Sequence, residues 1–240
     1  MTAKQQFSDQ VLGGLKVRSS YFSRDSIQAA ADKAGLAMKR STLSVYLNQA
    51  VKQGLVHDAG RGWYSRLAEP VKLDLHTCAK LVREVEKAFP LLDFSVWSTA
   101  QLNPWMHHLL AKPVHFLHAS REALETVGEA LRDKGWEVAV HPGKREAAKV
   151  IRPGEKMVVL RPTLAKQPPV QKGRQDSIEK ILVDLLAESG RSGVVGRVEV
   201  ERLFSEVASR NLVQVPVLQR YAQHREVLIP DFEELTNAGK

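Results

Sequence analysis

A single cysteine, Cys78, in 240 residues excludes an internal disulfide and a thiolate zinc cluster built from one copy of the chain. No apolar run approaches the roughly 20 residues that a bilayer-spanning helix needs, and the opening MTAKQQFSDQ lacks the apolar segment of a secretory leader. A reducing cytoplasm is therefore the expected location. Catalytic signatures are just as scarce. There is no GxxxxGK[ST] string to cradle phosphates, no HExxH pair, and no Asp-x-Asp to hold the two metal ions of nucleotidyl transfer. Asp93 stands alone before FSVW, and Glu179 and Asp184 lie five apart on a helical segment, off one another's face. The expectation is a protein that is not an enzyme and carries no cofactor or metal.

Acidic residues are the scarcer charge, 27 against 35 Lys and Arg, for a net +8. A basic excess fits a polyanionic partner but says nothing of fold. It is uneven: residues 1–70 carry +5, 71–170 carry +4 and 171–240 carry −1. With 43% hydrophobic and 26% charged residues, the chain is that of a globular protein of one large or two ordinary domains.

The stretch from Arg40 to Tyr64, RSTLSVYLNQAVKQGLVHDAGRGWY, carries the clearest pattern. Ser41 is placed to cap a helix, Leu43, Leu47, Ala50 and Val51 recur on one helical face, and Gly54 stops it. LVHDA and WYSRL then read as short strands around Gly60, Arg61 and Gly62, a two-stranded hairpin with an arginine at its tip. Upstream, Tyr21–Leu36 reads as a further helix, with Ser23 as N-cap and Gly35 at the turn. Helices, turn, helix and hairpin within about seventy residues match the winged helix-turn-helix class.

On that geometry the outward residues are Thr42, Ser44, Val45, Asn48, Gln49 and Lys52, with Lys39, Arg40 and Ser41 at the helix start and Arg61 and Gly62 in the hairpin. These eleven are the candidate DNA-binding residues, with Arg40, Thr42, Ser44 and Arg61 foremost. Asn and Gln pair with adenine edges, hydroxyls serve any base, and cations at a helix N-terminus attract phosphate. The competing reading is a packing module whose polar helix face is merely solvated.

Beyond Pro70 the pattern changes. Leu73–Phe89 is spaced as an amphipathic helix, strands are expected at 91–97, 113–119, 136–141 and 157–162, and a helix between them is capped by Ser120 and ended by Gly135. Residues 163–176, rich in Pro, Lys and Gln, read as a surface connector. A helix from Ser177 with an apolar face of Ile178, Ile181, Leu182, Leu185 and Leu186 follows, then two more near 197–209 and 216–226. The expected fold is α+β: a winged helix-turn-helix at 1–70 and a second domain at 71–240, mixed α/β to residue 162 and helical from 177.

His107, His108, His115 and His118 invite a metal reading, but His115 and His118 stand three apart on an expected strand and so face opposite ways. Trp97, Trp105 and Trp136 offer stacking surfaces, yet aromatics beside strands belong by default to a core. Cys78 on an amphipathic helix reads the same way, and the glycine-rich stretch around Arg191 to Arg197 reads as a turn.

FSVWSTAQLNPWMHHLL, VHFLHASREALETVGEALRDKGWEVAVHP and SIEKILVDLLAE with LQRYAQHR resemble the AbiEi-like antitoxin family. The resemblance runs through Trp97-Ser98-Thr99, His141-Pro142, Glu179 to Leu185 and Arg220-Tyr221-Ala222, in that order. It implies a winged-helix DNA-binding domain followed by an antitoxin domain. The implied role is an antitoxin and autorepressor of a type IV toxin-antitoxin or phage-defence operon. Its partners would be double-stranded operator DNA with inverted repeats, bound as a monomer or dimer, and a nucleotidyltransferase-like toxin opposed without need of stable contact. The alternative is a winged-helix interaction or regulatory component of a defence complex with no antitoxin activity of its own.

Overall fold

The computed structural model describes residues 2–106, 112–189 and 195–234; His107, His108 and Arg191 lie outside them. The fold is mixed α/β with two sheets, and the chain divides into two compact units. One comprises Met1–Val71, Phe204–Arg220 and Leu228–Lys240, the other Lys72–Leu203 and Tyr221–Val227. Sequence patterning assigns everything after residue 70 to the second domain, whereas residues from Phe204 onward are shared between the two units.

The first unit opens with α1 (Ala3–Gln6), a π-helical stretch Phe7–Leu12 and α2 (Gly13–Arg18), started by a capping box between Thr2 and Gln5. The helix expected from Tyr21 begins instead at Arg24. Tyr21–Ser23 forms strand β1, paired antiparallel with β3 (Trp63–Ser65) through Tyr21↔Ser65 and Phe22↔Tyr64. Two bulky aromatics in succession suit an extended segment buried on both faces better than a helix, and both are buried. Ser23 does cap, accepting from the Ser26 amide at 3.0 Å, and α3 runs Arg24–Lys33.

Gly35, at φ 74°, closes α3, with its amide on the Asp32 carbonyl and that of Leu36 on the Ala31 carbonyl. The next helix, α4, spans Arg40–Lys52; its N-cap is Lys39, with no side-chain cap hydrogen bond, so Ser41 lies inside the first turn rather than capping it. Then come β2 (His57–Asp58) and β3. The hairpin is thus two strands of a three-stranded sheet ordered β1-β3-β2. Leu43, Leu47 and Ala50 of α4 join Ile27, Ala31, Phe7, Val11, Leu12, Phe22, Val56 and Tyr64 in one core.

Returning segments complete this unit. The Tyr21 hydroxyl donates to the Asn211 carbonyl and accepts from the Val213 amide. Phe232 packs edge-on against Tyr21, Trp63 and Phe204, and Val215 N–H donates to the Ala59 carbonyl at 2.9 Å.

In the second unit a 3-10 turn, Leu75–Cys78, leads into α5 (Ala79–Ala88). Strand β4 (Phe94–Ser98), a 3-10 segment Thr99–Trp105, β5 (His115–Ala119), α6 (Leu124–Asp133), β6 (Glu137–Val140), α7 (Lys144–Val150) and β7 (Met157–Pro162) follow. The sheet order is β4-β5-β7-β6, with β4 antiparallel to β5 and β7 parallel to both its neighbours. One face buries Phe94, Val96, Leu117, Ala119, Val158 and Leu160 against Leu81, Val82 and Val85 of α5 and Leu124, Val127 and Leu131 of α6. A Cβ at Gly128 would sit 2.9 Å from Val140 Cγ2, so α6 reaches this sheet only because that position is glycine. The other face lies under α8 (Ile178–Ser189), which contributes Lys180 and Glu188 to it. Helices α9 (Arg197–Arg210) and α10 (Val215–Arg225) each carry residues of both units. Among the described residues no helix is long and apolar enough to cross a membrane.

Gly60 and Gly62 separate two kinds of constraint at the hairpin. Both have positive φ, but a Cβ at Gly60 would stand 2.6 Å from Pro216 Cδ, whereas one at Gly62 meets nothing within 4 Å. Gly62→Ala should cost about 1 kcal/mol of backbone strain and Gly60→Ala about 2–3 kcal/mol. Thermal denaturation of the two variants checks the order; equal melting temperatures would refute the close approach.

Candidate nucleic-acid interface and a buried charge row

Burying Leu43, Leu47 and Ala50 fixes which side of α4 faces outward. At about 100° per residue, Ser41, Thr42, Val45, Asn48, Gln49 and Lys52 fall within one arc of about 120° on the opposite side. Ser41, Thr42, Asn48 and Lys52 are exposed and Gln49 is half-buried, while Val45 keeps 52% of its surface. Lys39 and Arg40 are exposed at the helix start, and Arg61 is exposed at the hairpin tip next to half-buried Gly62.

Two of the foremost candidates are already engaged. Arg40 Nη2 lies 2.9 Å from Asp25 Oδ1, an exposed pair of the kind worth at most about 1 kcal/mol. The Ser44 hydroxyl, half-buried, donates to the Arg40 carbonyl at 2.9 Å and so turns back onto its own helix.

The second constellation lies in the other unit and was not among the expected sites. Ser95, His118 and Arg161 are direct cross-strand neighbours on β4, β5 and β7. Against this row α8 and the residues before it lay Asp176, Lys180, Asp184 and Glu188, each four apart and therefore on one helical face. The Lys180 ammonium donates to Asp176 Oδ2 at 2.9 Å and Asp184 Oδ2 at 2.8 Å, and His118 Nδ1 is 3.1 Å away. The same Nδ1 stands 3.3 Å from Asp176 Oδ2, and Nε2 stands 3.5 Å from Asp184 Oδ2. The Tyr221 hydroxyl donates to Asp184 Oδ1 at 2.7 Å, and Arg225 Nε stands 3.2 Å from the same oxygen. Arg161 meets Glu188 with two parallel bonds of 2.9 and 2.7 Å.

Three carboxylates are thus balanced by Lys180, Arg161 and Arg225. Burial drives the carboxyl pKa of Asp176 and Asp184 upward, but the Lys180 charge and the other partners outweigh it and hold both below the usual carboxylate range. Burial, with the neighbouring Asp184, pushes the Tyr221 phenol far up, so it stays a donor.

Ligand atoms of His118, Asp176 and Asp184 lie within 4.8 Å of one another, the clustering a metal would need. Lys180 fills that role itself: its ammonium stands at hydrogen-bond distance from both acids, and the charge a metal would neutralise is already neutralised. The connector expected to cross the surface ends inside this site, with Gln175 and Asp176 buried. The Asp176 amide donates to the Val96 carbonyl along the edge of β4.

Elsewhere the side chains take up core positions. His115 faces away from His118, its Nε2 3.2 Å from the Glu155 carbonyl, and burial lowers its pKa. Trp97 stacks on Phe116 at 4.2 Å, Trp136 is buried, and Trp105 is half-buried. Burial pushes the Cys78 thiol up to about 12, so it is no nucleophile at neutral pH.

The depressed carboxyl groups set a pH dependence. Their stabilisation is complete above the ordinary carboxylate value near 4 and is lost as pH falls through the lower folded-state values. Lys180→Met strands two buried carboxylates beside an imidazole, so the folded state then holds protons more tightly than the unfolded chain. Its stability should fall as pH rises from about 5 to 8, and at neutral pH it should lie about 3–5 kcal/mol below the parent. Urea denaturation across pH reads both slopes; parallel profiles would mean that the ammonium does not govern the site.

No curated protein matches the chain. The model of a family of unknown function, DUF6577, matches residues 42–238. That span begins on α4 and includes its exposed arc from Thr42 onward, the hairpin and every member of the buried row. The chain therefore belongs to the DUF6577 family.

Proposed function

We propose that the protein is a sequence-specific repressor that binds duplex DNA, in which α3, the Gly35 turn, α4 and the β2–β3 hairpin act as a winged helix-turn-helix with α4 in the major groove. The observation that carries this reading is the arc on α4. Apart from Val45 its side chains are polar, Lys52 among them is cationic, all but half-buried Gln49 are open to solvent, and they belong to a segment, residues 24–66, that holds seven Lys and Arg against three Asp. Asn48 and Gln49 have the donor and acceptor pairs that recognise adenine, Thr42 serves any base, and the exposed Val45 suits a thymine methyl. Lys39, Arg40, Lys52 and Arg61 supply backbone contacts, and phosphate competes readily for Arg40 because its pair with Asp25 is exposed.

The resemblance to AbiEi-like antitoxins supports the operon context. In this proposal the DNA is the protein's own operator, with inverted repeats, and the second unit opposes a nucleotidyltransferase-like toxin encoded alongside.

A mobility-shift titration on the upstream DNA tests the reading. Lys52→Ala and Arg61→Ala should weaken binding to every duplex and flatten its salt dependence, each by about one unit of slope. Thr42→Ala and Asn48→Ala should cost about 1–3 kcal/mol on the operator and relax its sequence preference. Ser44→Ala should change little, since its hydroxyl is spent on the helix. Parental affinity and preference in all four of the first variants would overturn the assignment.

A further inference from the structure

We propose that the second unit carries a backbone-binding surface for duplex DNA on the outer face of α7, formed by Lys144, Arg145 and Lys149 with Arg152 just beyond the helix end. The inference takes the identity of the polymer from the reading of α4 but uses none of its residues.

Residues 144–152 (KREAAKVIR) hold four Lys and Arg against one Glu, the densest positive charge in this unit. Ala147 and Ile151 are buried, which turns the opposite side of the helix outward. At about 100° per residue Lys144, Arg145 and Lys149 share an outward arc of about 140°, Arg152 follows just beyond the C-cap Ile151, and all four are exposed. Glu146 is turned away, accepting from the Gly143 amide at 3.4 Å.

Several other cations of this unit are already paired. Arg161 and Lys180 are buried in ion pairs, Arg174 meets Glu86 and Asp93, and Arg197 and Arg202 meet Glu201 and Glu199. Among the described residues, Lys144, Arg145 and Lys149 have no ion-pair partner. Arg152, just past the helix, donates only to the Ala148 and Ile151 carbonyls at the end of α7, which leaves its charge open to an anion.

The face is stiffly mounted. His141 takes φ 41°, a left-handed conformation uncommon for a residue with a side chain, and the following Pro142 carbonyl accepts from Arg161 Nη1 at 2.8 Å. A cationic helix with no apolar centre suits a phosphodiester backbone, read by charge without sequence, better than a protein surface.

The test is a salt titration of full-length protein on a random-sequence duplex, comparing the parent with a Lys144→Gln, Arg145→Gln, Lys149→Gln triple variant. The variant should bind more weakly, and its plot of log affinity against log salt should be less steep by about 2–3. Its preference for operator over random duplex should stay parental. Acetylation of the parent's amines, read by mass spectrometry with and without the duplex, should show Lys144 and Lys149 protected and the exposed Lys87 on α5 unchanged. A parental slope with both lysines still reactive, or protection by single-stranded RNA and not by duplex, would overturn the proposal. Failure of the α4 reading shows itself differently, as loss of operator preference in the parent, with protection at α7 retained.

Discussion

The Lys180 ammonium is the constraint on which the second unit is arranged. Three donors meet three acceptors from two elements: Asp176 and Asp184 on the α8 side and His118 on β5. None of the three has solvent to fall back on, so a displacement that removes one partner leaves a buried charge uncompensated, at a cost of several kcal/mol. Glu188 continues the same helical stripe to Arg161 on β7. A slide of α8 by one turn would take Glu188 out of its bidentate pair with Arg161 and Lys180 off His118. Apolar packing of Ile181, Leu182, Leu185 and Leu186 supplies area without direction; the polar row selects one alignment. Tyr221 and Arg225 add α10 to that alignment through Asp184.

The first unit uses a different device. Its exposed α4 arc is defined negatively, by the three apolar residues that the helix buries, and the hairpin is set by backbone pairing to β1 and by the approach of Pro216 to Gly60. The second unit thus fixes its shape with an ionic row placed inside, while the α4 arc of the first leaves its amides and Lys52 in water, where they remain available for a partner.

Much of this was legible where the determining interactions are local. Leu43, Leu47, Ala50 and the glycines at 35, 54, 60 and 62 mark α4 and its flanks by spacing alone, and the four strands of the larger sheet fall within a few residues of their hydrophobic runs. Contacts distant in sequence produced the departures. Tyr21 and Phe22 continue a helical pattern until β3, some forty residues later, offers them a ladder, and the segments from Phe204 onward join the first unit through contacts with Tyr21, Ala59 and Trp63 that no local pattern announces. Most instructive is the buried row. Asp176, Lys180, Asp184 and Glu188 at four-residue steps look like the solvated side of an amphipathic helix, and Glu179 with Asp184 was the wrong pair to weigh. Spacing could have exposed the stripe, but only the facing Ser95, His118 and Arg161 reveal that both sides of α8 are covered.

Arg161 gives one guanidinium two duties. Two of its nitrogens hold Glu188, and the third holds the carbonyl of Pro142, in the turn from which α7 departs. The helix bearing the most concentrated surface cations is therefore tethered, through a single planar group, to the buried ion-pair row. Dragging α7 outward would tear open an ion pair deep inside the molecule. Load applied there is thus resisted at the centre rather than absorbed by a slack loop.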